Sequence, residues 1–268
     1  MNWLLNGEAN AGVSPLDRGL AYGDGVFRTL KVRVQQPVWW RDHYAKLAHD
    51  CAVLKLACPA PNVLLSEIQI VTQPFDNAVV KIVVTRGPGE RGYAPPEPAA
   101  PTRIVMASAL SDREHERHGI HVRWCSMRLA RQAQLAGIKH LNRLENVLAR
   151  QEWSDPDIAE GLLCDDTGAV IGGTRSNVFA MRASRLLTPD LSLSGIAGVT
   201  RDRVLRAAAR HAIEIQVARL EPANIMEADE VFVSNSIVGL SPVAMLDQRQ
   251  WRTTIWTEQF QQWIDETD

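Results

Sequence analysis

Hydrophobic positions along this chain switch repeatedly between a two-residue repeat and a helical one. Trp3 to Leu5 is a short apolar run closed by Asn6-Gly7, which predicts a strand ending in a turn. Phe27 to Val34 (FRTLKVRV) alternates, Gln35-Gln36-Pro37 turns the chain, and Val38-Trp39-Trp40 predicts the returning strand of a hairpin. Apolar residues then recur at helical spacing from Asp42 to Leu56, and Asn62 predicts the cap of a second helix over Val63 to Gln73. AVVKIVVTRG and TRIVMASAL are β-rich and predict neighbouring strands. Between them, Gly87 to Pro101 is a Pro/Gly loop longer than a turn, and loops of that length in compact domains are often functional. Beyond Gly119 the alternation resumes. It predicts a strand over Ile120 to Met127, an amphipathic helix in AGIKHLNRLENVLARQEW (Ala136 to Trp153), and strands about the Asp166-Thr167-Gly168 turn. A glycine-containing loop then feeds a helix starting near Thr200. IEIQVARL and EVFVSNS predict strands, and Thr254 to Ile264 predicts a terminal helix. The fold class is mixed α/β.

Composition sharpens this only in places. Apolar residues are 46% of the 268, enough for a sizeable core, and the length suits one large domain or two smaller ones. A net charge of −2 gives no support to nucleic-acid or membrane-surface binding. Cys51, Cys58, Cys125 and Cys164 form no C-x-x-C pair and no disulfide framework. The N-terminal apolar run is too short for a signal peptide, and no stretch nears 18 apolar residues, so a reduced, cytoplasmic protein is expected. SDREHERHG (Ser111 to Gly119) is charged and almost free of apolar residues. It predicts a solvated linker at 113–119 between domains 1–112 and 120–268. His115, His118 and His121 recur at three-residue spacing, but nothing completes a coordination shell and no metal site is assigned.

Four stretches contain chemistry. On the predicted helix, Leu141, Leu144 and Leu148 form one apolar stripe, with Asn142 and Arg143 on the face of Lys139. A cation at a helix N-terminus is destabilised and burial adds to that, so Lys139 reads either as a nucleophilic amine or as a surface lysine at a frayed helix start. In AGVTRDRV, Gly198, Val199 and Thr200 open a helix, offering either an anion site suited to phosphate or plain capping. VFVSNSIVGLSPV is a buried strand ending in Ser234, Asn235 and Ser236, which line a site or merely form a turn. LDRGLAYGDGVFRTL has three glycines in a short span, which suggests tight turns or close approach to a ligand.

Together, DRGLAYGDGVF, GIKHLNRLENVLAR, SNVF, GVTRD and NSIVGLSPV, in this order and spacing, resemble the fold-type IV pyridoxal-phosphate enzymes over nearly the whole chain. That family includes branched-chain and D-amino-acid aminotransferases and aminodeoxychorismate lyases; KHLNRLENVL with RGPGERGY looks most like the lyases. The resemblance implies two α/β domains with the cofactor in the cleft between them, a homodimer, and pyridoxal 5'-phosphate held as a Schiff base by Lys139, which also serves as acid and base. It places the phosphate on Gly198, Val199 and Thr200 and near Ser236, with Asn177 and Asn235 in the same cofactor site.

Two positions depart from the family pattern. Lys46, in HYAKL, stands where many members have a phosphate-gripping Arg; lysine keeps the charge and loses the bidentate fork. Members usually have a Glu, which keeps the pyridine nitrogen protonated, five residues before the Asn of the SN-F motif. Here that position is Gly172, and Arg175 nearby cannot accept a proton in that role. A weaker electron sink suits a lyase, whose product gains aromaticity, better than a transaminase. The implied activity is therefore conversion of 4-amino-4-deoxychorismate to 4-aminobenzoate and pyruvate, in folate synthesis. An aminotransferase of the same fold and a non-catalytic cofactor-binding protein are the alternatives. Arg91, Tyr93, Arg28 and Arg143 are candidates for the substrate's two carboxylates, each with an ordinary surface or ion-paired role as the alternative.

Overall fold

A computed structural model describes residues 2–112 and 114–266. Its contacts divide into two compact units: residues up to Ser111 together with Ile138–Asn142, and Asp112–Gly137 together with Arg143 onward. In the N-terminal unit the elements run β1 (Asn2–Leu5), β2 (Glu8–Ala9), α1 (Arg18–Tyr22), β3 (Gly25–Arg33), β4 (Gln36–Pro37), α2 (Trp40–Val53), α3 (Pro61–Thr72), β5 (Asn77–Thr85) and β6 (Thr102–Ala109). The strands form one antiparallel sheet in the order β2-β1-β6-β5-β3-β4. Alternation sends Val26, Leu30 and Val32 of β3 and Val80, Ile82 and Val84 of β5 to one face. There they pack with Leu47 and Cys51 of α2 and Leu64, Ile68 and Val71 of α3.

In the C-terminal unit the elements run β7 (Ile120–Leu129), α4 (Leu144–Arg150), β8 (Ile158–Asp165), β9 (Val170–Gly173), β10 (Asn177–Arg182), β11 (Arg185–Pro189), α5 (Val199–Arg210), β12 (Ile215–Ala218), α6 (Pro222–Met226), β13 (Glu230–Asn235), β14 (Gly239–Leu246), β15 (Arg249–Gln250) and α7 (Ile255–Asp265). Nine strands make a mixed sheet, β12-β11-β10-β13-β14-β7-β8-β9, with β15 on β14. Phe179, Phe232 and Phe260 stack in series between β10, β13 and α7, at centroid distances of 5.0 and 5.7 Å. Buried Glu230 supplies the cap of α7, accepting from the Trp256 and Thr257 amides and the Thr257 hydroxyl. Arg203 of α5 donates to the Ile264 carbonyl of α7, tying the two helices.

Several expectations change. Val38-Trp39-Trp40 is not a returning strand: the strand that pairs back on β3 is Gln36–Pro37, the Val38 amide adds one bond to the Lys31 carbonyl, and Trp40 opens α2. Helix α3 starts at Pro61 rather than at an Asn62 cap, because a proline lacks the amide that a first-turn residue leaves unpaired. The helix expected from Ala136 is only α4, beginning at Leu144. Leu144 is 69% exposed and Leu148 is exposed as well, so the leucine spacing marks a helix surface rather than a core stripe. Segment 138–142 groups with the N-terminal unit, whereas the sequence places Lys139 in the C-terminal domain. The 113–119 stretch holds a short 3-10 turn, Glu114–Arg117, and its Glu116 is buried against Arg175 (3.3 Å) rather than solvated; Arg113 lies outside the described residues. No group of three or more metal-ligating side chains converges among the described residues, and no helix there is long and apolar enough to cross a membrane. All four cysteines are free thiols.

One carboxylate organises the glycine-rich start of the N-terminal unit. Asp24 takes the Arg18 Nε at 3.0 Å and the Arg86 Nε at 2.8 Å. Arg18 then donates to the Gly92 and Tyr93 carbonyls of the long loop, and Arg86 to that of Leu54. Burial works to raise the Asp24 carboxyl, but its hydrogen bonds and charge pairs with Arg86 and Arg18 outweigh burial and hold it below its ordinary value. Asp24→Asn is expected to cost about 1–3 kcal/mol near neutrality. A lowered folded-state value means the wild-type advantage is complete well above the ordinary 3.8 and fades as pH falls through the lowered value. Urea unfolding of both proteins across acidic pH measures that gap directly.

Candidate functional site

Lys139 lies outside the helix, in an extended segment that adds to the free edge of β3. Val26 and His140 form an antiparallel bridge; the Phe27 amide donates to the Lys139 carbonyl (2.9 Å) and the Leu141 amide to that of Gly25 (2.9 Å). The helix-dipole argument for an activated amine therefore does not apply. Lys139 is half-buried, and its Nζ sits 4.7 Å from the centre of the Phe27 ring. Its own amide donates 2.9 Å to Asp50 Oδ2. Asp50, fully buried on α2, also pairs with Arg28 of β3 and with Lys46 Nζ at 3.1 Å. Thus three residues picked from sequence, Lys139, Arg28 and Lys46, meet at an aspartate that was not. The carboxylate facing Arg28 is the protein's own, because strand alternation turns Arg28 inward towards α2.

The C-terminal unit assembles the other predicted group. Asn177, on β10, stands opposite Ser234, on β13. Its amide group donates to the Ile196 carbonyl (2.7 Å) and its oxygen accepts from the Gly198 amide (3.1 Å), bracing the loop into α5. A Cβ on Gly198 would stand 2.5 Å from that oxygen, so only glycine fits this approach. Helix α5 starts at Val199 with no side-chain cap. The Thr200 hydroxyl is buried in its first turn without a hydrogen-bond partner, and so is the Ser234 hydroxyl. Buried polar groups are nearly always paired. Two unpaired hydroxyls, beside first-turn amides with no cap, make a setting for an anion such as phosphate. Asn235 is occupied by its own turn, accepting from the Ile237 and Val238 amides, and Ser236 lies half-buried beside it.

Arg91 and Tyr93 sit exposed on the long loop, Tyr93 at 84%, with its ring 5.4 Å from that of Tyr22. Arg143 is the residue before α4 and belongs to the C-terminal unit, not one helical turn beyond Lys139. Sequence reasoning missed Asp50 and Arg18 outright. It singled out the strand end of Ser234 but chose its neighbours.

Gly172, in β9, is buried, and a Cβ there would stand 2.8 Å from the Ser176 carbonyl. The neighbouring carboxylate, Glu160, is committed to the turn after β9. It accepts from the Gly161 and Thr174 amides, the Thr174 hydroxyl and the Ser176 hydroxyl.

The profile of the class IV amino-transferases matches residues 25–246. The chain belongs to that family. This class IV chain is 34% identical to an aminodeoxychorismate lyase of Vibrio harveyi, over 91% of its length and 90% of the relative's. It is 26% identical to a D-alanine aminotransferase of Staphylococcus aureus, over 91% and 88%. Among solved structures it resembles a 4-amino-4-deoxychorismate lyase from Pseudomonas aeruginosa, with a TM-score of 0.92, 40% identity and 99% of each chain covered.

Framework and uncommitted groups of the class IV site separate by their partners. Asn177→Ala removes two buried hydrogen bonds and is expected to cost about 1–3 kcal/mol. Thr200→Val removes a hydroxyl with no partner and is expected to change stability by less than about 0.5 kcal/mol. Denaturant unfolding of the cofactor-free protein compares the two.

Proposed function

We propose that this chain is a pyridoxal-phosphate-dependent 4-amino-4-deoxychorismate lyase, forming 4-aminobenzoate and pyruvate. The observation that carries the reading is the buried, unpartnered Thr200 hydroxyl at the uncapped start of α5, in a family whose lysine motif is present at Lys139. The two lyases, alike over nearly their whole length, support the choice of reaction.

Bound pyridoxal phosphate supplies an aldehyde for amines and a conjugated ring that takes up electrons. The Val199 and Thr200 amides with the Thr200 hydroxyl hold the phosphate, and Ser234 and Ser236 are the further hydroxyls for it. Asn177 keeps that loop in place. Lys139 Nζ would hold the cofactor by its aldehyde and would be the base for the proton lost from the substrate ring. The electron pair of that C–H bond becomes part of the aromatic ring while the C–O bond breaks with its electron pair on oxygen, and the enolpyruvate released takes up a proton at its methylene carbon to become pyruvate. Arg91 and Tyr93 on the long loop are the proposed partners of the substrate's carboxylates, with Arg143 a further candidate. The phosphate end of the chain's residues fits the cofactor. The ring-nitrogen end lacks the carboxylate that many relatives place at position 172, and Glu160 is already bonded to backbone and hydroxyls. A weaker electron sink suits a reaction driven by aromatisation of its product.

Borohydride treatment of the protein loaded with pyridoxal phosphate should fix one pyridoxyl label, on Lys139, by peptide mass mapping. Lys139→Ala should lose the label and slow formation of 4-aminobenzoate by about 10²–10⁴. Thr200→Val should weaken the cofactor's binding by about 10- to 100-fold, the worth of one hydrogen bond to a charged group. Efficient transamination of amino-acid and keto-acid pairs without 4-aminobenzoate would reject the lyase in favour of the aminotransferase.

A further inference from the structure

We infer that Asp50 is a positioning residue for Lys139, an inference that rests on the proposed role of that lysine. The helical repeat of α2 places His43, Leu47, Asp50 and Cys51 on its buried face. One of them is therefore a carboxylate sunk completely into the protein, where a charge is costly unless paired and hydrogen-bonded. Asp50 meets that condition from three directions: Arg28 from β3, Lys46 from one turn earlier on α2, and the Lys139 amide.

The third contact is the informative one, because two cations already offset the charge. Segment 139–141 pairs with β3 through the Lys139 carbonyl and the Leu141 amide. The Lys139 amide donates to Asp50, a side-chain acceptor at the point where the segment meets β3. This fixes the backbone at the point from which the lysine side chain departs. Phe27 and Arg28 are consecutive on β3 and point to opposite faces. Phe27 meets the Lys139 ammonium with its ring, and Arg28 anchors the carboxylate that holds the Lys139 backbone. Two neighbouring residues of one strand thus grip the lysine from both sides of the sheet. Arg28 and Lys46 act here as counter-ions of Asp50, and through it on Lys139, rather than as direct binders of substrate and of the cofactor's phosphate respectively.

The test removes Asp50 together with Arg28, its more buried counter-ion, and leaves Lys46, whose long side chain is partly exposed, to turn its ammonium to water. Arg28→Met/Asp50→Leu deletes the acceptor for the Lys139 amide; Arg28→Met/Asp50→Asn restores an uncharged one. Hydrogen exchange of the Lys139 amide in cofactor-free protein should be about tenfold or more faster than wild type in the Leu variant and within about twofold in the Asn variant. With pyridoxal phosphate, the Leu variant should bind about tenfold more weakly and lose kcat more than it raises KM, and the Asn variant should recover both. An amide as slow in the Leu variant as in wild type, or equally fast in both variants, overturns the inference. Should wild type take no borohydride label on Lys139, the functional reading and the cofactor half of this proposal both fall, and amide exchange alone still decides whether Asp50 fixes the backbone.

Discussion

The N-terminal sheet has an edge that its own strands leave half covered. Beside β3, strand β4 spans only two residues and pairs with Val32 and Arg33. The first half of β3, from Gly25 to Phe27, would otherwise present unpaired backbone groups, which a fold must satisfy or shield. Residues 139–141, more than a hundred positions away, fill it. Once that backbone is paired, the position of Lys139 follows from a β-ladder, one of the most rigid placements a chain offers. The charge group beneath it then has a purpose: Asp50 takes the Lys139 amide, and Arg28 and Lys46 make its burial tolerable.

In the C-terminal unit the same logic separates framework from site. Asn177 spends its oxygen and its amide on the loop into α5, Asn235 spends its oxygen on the following turn, and Glu160 spends both oxygens on the turn after β9. These are polar residues that hold backbone and have little left to offer a ligand. Thr200 and Ser234 are the reverse: buried hydroxyls without partners, one at the head of a twelve-residue helix and the other directly across the ladder from Asn177. A protein that buries a hydroxyl and leaves it unpaired gives up stability there, and a ligand oxygen is the natural compensation.

Most elements were legible because their signals are local. The alternation of β3, the strand-forming runs of β5, β6, β8 and β13, and the helices α2, α5 and α7 survive with boundary shifts of a few residues. What failed was also local in appearance. Leu141, Leu144 and Leu148 have helical spacing, yet Leu141 belongs to the segment on β3 while Leu144 and Leu148 lie on an exposed helix face, so the period joined two unrelated structures. Val38-Trp39-Trp40 has strand composition, but packing of Trp40 and Tyr44 against the core turned it into a helix start. Asp50 was illegible in principle. An acid on a helix reads as solvated, and of its three partners only Lys46 is near in sequence, Arg28 and Lys139 lying 22 and 89 positions away. Family resemblance pointed to Lys139 through its motif, but no periodicity could say that its environment is a sheet edge.

Gly172 is where the departure from the family's motif has the clearest structural setting. The position faces the Ser176 carbonyl so closely that any side chain needs the turn to move, and that turn is itself pinned by Glu160 through Thr174 and Ser176. Restoring a carboxylate at 172 is thus not a matter of adding one side chain; the backbone of 173–176 would have to be rebuilt with it. The two features reinforce one another, since the neighbouring acid, Glu160, has its oxygens consumed in holding the geometry that excludes a side chain at 172. Chemistry that leans on a strongly electron-withdrawing pyridinium is disfavoured in such a frame, whereas a reaction that ends in an aromatic ring draws its driving force from the product and needs less from the cofactor. The lyase reading and the geometry of this turn therefore favour the same chemistry.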